Sequence, residues 1–273
     1  MTSSAFLSSS ERFAAIPSTN DVVAGWLADG VPEVCLAVAD EQTAGRGRMG
    51  RTWVAPPGSS LLASLGFRPA WIAVDRTWRI AATVSLAMAD AAEDVAGLPD
   101  RTVRLKWPND LVAVDPAVVG AGEGPRKLGG VLGEAIGIGG GDPRVVVGIG
   151  VNAGWSAADF PPDLAATMTS LSVLGGGRPV AIDDLLSAFL ARLEPRIEAL
   201  RDGRFDVADW AARQLVRRTR VRLVHGTDPG DGEDVVAIGV DPLTGALVVE
   251  DAAAPGGERQ VHAGEIRHLR AEV

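Results

Sequence analysis

The chain has one cysteine and three histidines in 273 residues, and that scarcity closes off two classes of protein. Cys35 alone cannot build an intramolecular disulfide framework. His225, His262 and His268 show no zinc-like spacing with it, so a structural metal is not expected. Long apolar runs are missing too: 47% of residues are apolar, yet no window approaches the roughly 18 to 20 uninterrupted apolar residues of a membrane span. Residues 1–12 lack the basic segment and apolar core of a secretory signal, which predicts a soluble, cytoplasmic protein without a membrane partner. Positive charge is in deficit, 26 Lys and Arg against 35 Asp and Glu. The resulting net charge of −9 argues against broad nucleic-acid binding, which rests on neutralising phosphates. The length suits one large domain plus a small one.

Against that acidic background, residues 45–51 set three arginines, Arg46, Arg48 and Arg51, among three glycines. Gly45 to Gly50 spells G-x-G-x-x-G after a predicted strand, the dinucleotide fingerprint. A dinucleotide loop must run directly into a helix whose N-terminus faces the pyrophosphate. Here Trp53-Val54-Ala55-Pro56-Pro57-Gly58 follows, and two prolines with a glycine oppose a helix. A G-x-x-x-x-G-K-[ST] phosphate loop is also absent; the nearest stretch, 120–127, has the wrong spacing. Glycines let backbone amides approach a ligand, and arginines supply planar, permanently charged forks for carboxylate or phosphate oxygens. Composition alone leaves a solvated basic loop open as the alternative.

Around this loop the periodicity predicts an α+β protein. Ser18-Thr19-Asn20 caps a helix carrying Val22, Val23, Trp26 and Leu27 and closed by Gly30. Strands are expected at 34–39, 61–67 and 103–105, the last ended by Trp107-Pro108. A helix is expected over 78–95, with Ile80, Val84 and Met88 on one face. Residues 115–126 read as a mobile loop, and 128–138 with 144–151 as an antiparallel hairpin. Leu185, Leu186, Phe189, Leu190, Leu193, Ile197 and Leu200 recur at helical spacing, with a kink or break expected at Pro195. A short helix is expected over 206–216. From 218 onward, short strands at 221–224, 235–240, 246–250 and 260–262 predict a small β-barrel, which divides the chain into domains at 1–217 and 218–273.

Two further constellations carry chemistry: Lys106-Trp107-Pro108-Asn109-Asp110, and Lys127-Leu128-Gly129-Gly130-Val131-Leu132-Gly133-Glu134. The lysines can join the arginines around a triphosphate, while Asn109 and Asp110 can position Mg²⁺ or orient a nucleophile. Ordinary turn chemistry is the alternative for Pro108-Asn109-Asp110.

In order and approximate spacing, these three motifs resemble those of biotin–protein ligases. Ser18-Thr19-Asn20, Gln42 and Gly148-Ile149-Gly150-Val151-Asn152 are similar to that family's pattern as well, and the likeness spans residues 18–152. Gly130 is often alanine in relatives. The resemblance implies a class II synthetase-like catalytic domain, a mixed or antiparallel sheet flanked by helices, with a C-terminal SH3-like barrel. It implies an ATP-dependent ligase that forms biotinyl-5′-AMP and transfers biotin to a lysine of a biotin carboxyl carrier protein, using ATP, Mg²⁺ and biotin. Biotin would meet Ser18, Thr19, Asn20, Gln42, Gly45, Arg46, Gly47, Arg48 and Lys127. The nucleotide would meet Arg48, Arg51, Trp53, Lys106, Asn109, Lys127 and Asn152, with Trp53 beside the adenine. Lys127, Arg48, Arg51 and Asp110 would carry the chemistry, and Mg²⁺ would arrive with ATP near Asp110 rather than occupy a permanent site. Asn152 is expected to serve the phosphates or the metal. The enzyme is expected to be a monomer or weak homodimer.

The Gly-Arg-Gly-Arg-x-Gly-Arg signature favours biotin over the related lipoate ligases. Only 17 residues precede Ser18, too few for the helix-turn-helix of a ligase that is also a repressor, so the monofunctional type is expected. A non-catalytic biotin-binding module would need neither the second lysine motif nor phosphate-directed arginines.

Overall fold

The computed structural model describes residues 6–114, 124–225 and 232–268. Seven strands form the main sheet: β1 (Ser9–Phe13), β2 (Cys35–Ala39), β3 (Ser60–Phe67), β4 (Val103–Lys106), β5 (Asp110–Ala113), β6 (Arg126–Ile136) and β7 (Arg144–Asn152), in the order β1-β2-β3-β7-β6-β5-β4. Only β1 and β2 run parallel, which makes the sheet mixed. The central strands read as continuous apolar runs because both faces are covered, and every residue of β2 and β3 is buried.

The two faces have different tasks. Leu61, Ala63, Leu65 and Phe67 point to the main core, which the helices α2 (Trp78–Ala96) and α4 (Ile182–Arg201) complete. Val23 and Leu27 of α1 (Thr19–Ala28) pack on the other face with Cys35, Ala37 and Val146. That second cluster is small and leaves the remaining surface of its face to polar side chains. Two shorter helices, α3 (Leu171–Leu174) and α5 (Val207–Arg213), complete the layer.

A second, five-stranded antiparallel sheet contains β8 (Thr219–Val224), β9 (Gly232–Val240), β10 (Leu247–Glu250), β11 (Glu258–Val261) and β12 (Glu265–His268), in the order β11-β10-β9-β8-β12. Among the described residues its two edge strands do not pair with each other, so the closure expected of a barrel is not seen. This sheet docks onto the main one through aromatics. Trp107 joins its core with Val216, Val221 and Leu223, and the Trp107 indole donates to Gly245 O at 3.2 Å.

Several expectations need correction. α4 runs through Pro195 as one helix: Leu185, Phe189, Leu193, Ile197 and Leu200 are buried, while Pro195 sits on the exposed side, where water can serve the carbonyl it leaves unbonded. β1, β5 and β12 were not foreseen. Most of the loop expected at 115–126 lies outside the described residues, and Arg126 already belongs to β6. No helix among the described residues is long and apolar enough to cross a membrane.

Candidate active site

The glycine-arginine segment folds as a tight hairpin. Trp53 N donates to Gly45 O at 2.9 Å, Gly47 N donates to Arg51 O at 2.7 Å, and Arg46 bridges Thr52. At its tip, Met49 and Gly50 take φ of 57° and 72°. A Cβ on Gly45 would come within 2.5 Å of Trp53 O, so the base of the hairpin requires glycine. Its arginines diverge. Arg46 faces Asp21 and Glu134, Arg48 donates to Gly264 O at 3.2 Å, and Arg51 pairs with Glu265 at the start of β12. Burial lowers the Arg48 pKa, opposed by the nearby carboxylates of Glu265 and Asp110.

Below the hairpin, two glycines of β7 make the floor. A Cβ on Gly150 would meet the Trp53 indole at 2.7 Å, and one on Gly148 would meet Asn20 Oδ1 at 2.3 Å. The ring and the amide therefore rest directly on the sheet. At the N-terminus of α1, Ser18 holds the cap position without a side-chain cap bond, contrary to the expected capping role. Ser18, Thr19 and Asn20 are all buried, and Thr19 and Asn20 turn their side chains to Gln42, Ser64 and Glu134. Gln42 Oε1 accepts from Thr19 N at 2.8 Å and from Thr19 Oγ1 at 3.0 Å. Ser64 Oγ lies 2.6 Å from Thr19 Oγ1 and 2.5 Å from Asn20 Oδ1.

The lysine motifs meet across β5 and β6. Asp110 pairs with Gly130 and Leu111 with Gly129, but Val112 pairs with Lys127, a shift that makes Leu128 an extra residue. Strict alternation from Gly130 would turn residue 127 toward the helices; the bulge instead sinks Leu128 into the core and brings Lys127 to the face of Asp110. Lys127 Nζ lies 2.7 Å from Asp110 Oδ1 and 5.7 Å from the centroid of the Trp53 ring. Asn109 brackets the same strand: its Nδ2 donates to Val131 O at 3.0 Å and its O accepts from Val131 N at 2.9 Å.

A cleft of about 440 Å³ is lined by Arg48, Lys106, Asn109, Asp110, Leu132 and Glu134 together with Trp78, Gln214 and Thr244. A second space of about 610 Å³ lies under the hairpin and shares Arg48, Leu132 and Glu134 with the first. The arginine hairpin and Lys106 thus face connected space, while Lys127 lines neither part and reaches its edge through Asp110. Asn152 lines neither space; it is fully buried, donating to Thr169 O at 3.1 Å while its Oδ1 has no partner among the described residues.

Sequence reasoning gave no role to Glu134, Glu265 or Ser64. Ser64, a hydroxyl inside the apolar run 61–67, carried a readable signal; Glu265 carried none. Of 26 basic residues only Lys106 and Lys127 are lysine; Lys106 lines the cleft and Lys127 pairs with Asp110, which does.

Residues 13–152 match the model of the Biotin/lipoate A/B protein ligase family. The chain is 33% identical over 236 residues to the biotin–[acetyl-CoA-carboxylase] ligase of Mycobacterium tuberculosis, covering 86% of this chain and 79% of that protein. It is 30% identical over 252 residues to the enzyme of the same name from Paracoccus denitrificans, covering 88% and 92%. In fold it is similar to the biotin protein ligase of Aquifex aeolicus solved with biotin and ATP, with a TM-score of 0.74, 22% identity and coverage of 96% and 99%. The mixed seven-stranded sheet with its second antiparallel sheet is the fold of those ligases, and the chain belongs to the Biotin/lipoate A/B protein ligase family.

Proposed function

We propose that this protein is an ATP-dependent biotin–protein ligase that forms biotinyl-5′-AMP and transfers the biotinyl group to a lysine of a biotin carboxyl carrier protein. The observation that carries the reading is the meeting of Lys127, Asp110 and Trp53 beneath an arginine hairpin, in a chain whose relatives are named for this reaction. Biotin takes the polar floor of Ser18, Thr19, Asn20 and Gln42, closed over by Gly45, Arg46 and Gly47. Its carboxylate lies toward Arg48 and Lys127. ATP takes the Trp53 side, with Arg51, Lys106 and Asn109 toward its phosphates.

Two anions must approach for the biotin carboxylate to attack the α-phosphorus and release pyrophosphate. Cations and amides fixed beforehand offset a repulsion that water would only partly screen. Asn152 is better assigned to the base than to the phosphates or metal expected of it. Its unsatisfied atom is an acceptor, which suits an amine such as that of adenine and not a phosphate oxygen.

Among the described residues no group of three or more His, Cys, Asp or Glu could hold a metal. Asp110 is a single carboxylate already bonded to Lys127, which fits a Mg²⁺ that arrives on ATP. Such an ion neutralises charge on the phosphates. In the transfer half, the lysine amine of the carrier attacks the mixed anhydride and AMP leaves. Asp110 can orient that amine or take its proton once Lys127 turns to the phosphate.

Residues 1–217 are the catalytic unit in this reading, and 218–273 an SH3-like unit whose five described strands cover the cleft. The protein acts in the cytoplasm as a monomer or weak homodimer, without nucleic acid. The test is biotin-dependent exchange of pyrophosphate into ATP, followed by transfer of biotin to a purified carrier domain. Exchange driven by lipoate and not by biotin would refute the reading.

A further inference from the structure

Glu134 stands where the two cavities meet, on the same face of β6 as the biotin floor. One carboxylate serves two elements. Asn20 Nδ2 donates to its Oε2 at 2.6 Å, and Arg46 Nη2 lies 3.3 Å from the same oxygen and 3.4 Å from Oε1. The Asn20 side of this arrangement is rigid: the residue is 5% exposed, its Oδ1 meets Ser64, and Gly148 leaves no room beneath it. By contrast, the Arg46 side can yield. Its contacts to Glu134 are long and partly exposed, and Asp21 holds the guanidinium from its other edge at 2.7 and 2.8 Å.

We infer that Glu134 is a positioning residue coupling the two. The Asn20 amide sets the direction of the carboxylate, and the carboxylate sets where Arg46, and with it the base of the hairpin, can sit. This rests on the reading of the floor as the biotin pocket. Biotin that tightens the floor then favours the closed hairpin, and a closed hairpin favours biotin by the same factor. The adenylate is retained because the hairpin is tethered to the floor that the vitamin occupies.

Two variants of the full-length chain separate the two bonds. E134Q keeps an acceptor for the Asn20 amide but removes the charge that faces Arg46; E134A removes both. Biotin affinity by calorimetry and the rate of loss of preformed biotinyl-5′-AMP are the readouts. E134Q is expected to speed adenylate loss about two- to fivefold, as befits a partly exposed ion pair, with a smaller change in biotin affinity. E134A is expected to weaken biotin binding as well, by about ten- to a hundredfold, because a buried amide loses a charged acceptor. Salt near 0.5 M should bring the parent toward E134Q in adenylate loss without moving E134Q toward E134A. A residue that serves only folding would shift both readouts by one common factor in both variants, and that result overturns the inference. If the parent binds biotin and both variants match it, this inference alone fails. A parent that does not bind biotin removes the pocket assignment and the inference together.

Discussion

Replacing Lys127 by alanine isolates one ammonium whose surroundings are known. Nζ lies 2.7 Å from Asp110 Oδ1, a separation at which two unit charges attract by about 6 kcal/mol at an effective dielectric of 20 and by about 1.5 kcal/mol in bulk water. The Lys127 side chain is 34% exposed and that of Asp110 17%, which places the pair toward the screened end of that range. An ammonium that reaches a carboxylate this closely reaches a phosphoryl oxygen equally well. Loss of one such fixed donor commonly costs about 3 to 4 kcal/mol at the transition state, about 10²- to 10³-fold in rate, and this lies between the two Coulomb limits. Pyrophosphate exchange by K127A should therefore fall by that factor. Alanine also strands Asp110 without its cation, so the double variant K127A/D110N must be measured beside it. If the loss reflects the missing donor, the double variant stays as slow as K127A. Exchange by K127A near the parent rate, or recovery in the double variant, refutes the reasoning.

Gly148→Ala should displace Asn20, because the new Cβ falls 2.3 Å from Oδ1; a loss of at least about tenfold in biotin affinity by calorimetry is expected, and unchanged affinity would show that Asn20 does not shape the pocket. Arg213→Met should destabilise the fold by about 3 to 5 kcal/mol in urea titration, since the guanidinium is 3% exposed and bonds Glu93 at 3.0 Å and Asp90 at 2.5 Å, leaving Glu93 buried and uncompensated; a loss below about 1 kcal/mol contradicts this. Burial raises the Cys35 thiol pKa, so the fold holds it neutral while the unfolded chain ionises above about pH 8.5. Stability should thus decline as pH rises past that value, and less so in Cys35→Ala. The chain has no tyrosine and two lysines to mask the difference, and identical urea midpoints for both proteins from pH 8 to 10 would refute it.

Elements that bury a regular apolar pattern were legible in the chain. The run at 61–67, the hairpin of β6 and β7 and the long helix of Ile80, Val84 and Met88 announce themselves because period and burial coincide. β1 was hidden because Ser-Ser-Glu-Arg-Phe has no apolar alternation and survives as an exposed edge strand held by backbone bonds to β2. β12 offers one apolar side chain, Ile266, among charged neighbours, yet it supplies Glu265 to the site. The residue types of the three motifs could be read, but not the bulge at Leu128. That slip is a property of strand pairing between distant segments, and without it Lys127 would face the wrong side of the sheet.

The pairing of these cations in the free protein has its own physical logic. Arg46, Arg51 and Lys127 each rest against a carboxylate, and Arg48 against a backbone carbonyl. Left without partners so close together, they would repel one another and turn to solvent. Held this way they keep their geometry at little cost to binding. The Arg51 side chain is 55% exposed and that of Lys127 34%, so solvent screens each pair and either cation can exchange its carboxylate for an incoming anion. In the proposed reaction Asp110 and Glu265 would hold the places that phosphate takes. A deeper burial of the same pairs would have locked the cations against the anion they are there to receive, because separating a buried pair is far more costly. Partial exposure of the hairpin is therefore a condition of the chemistry and not a looseness in the fold.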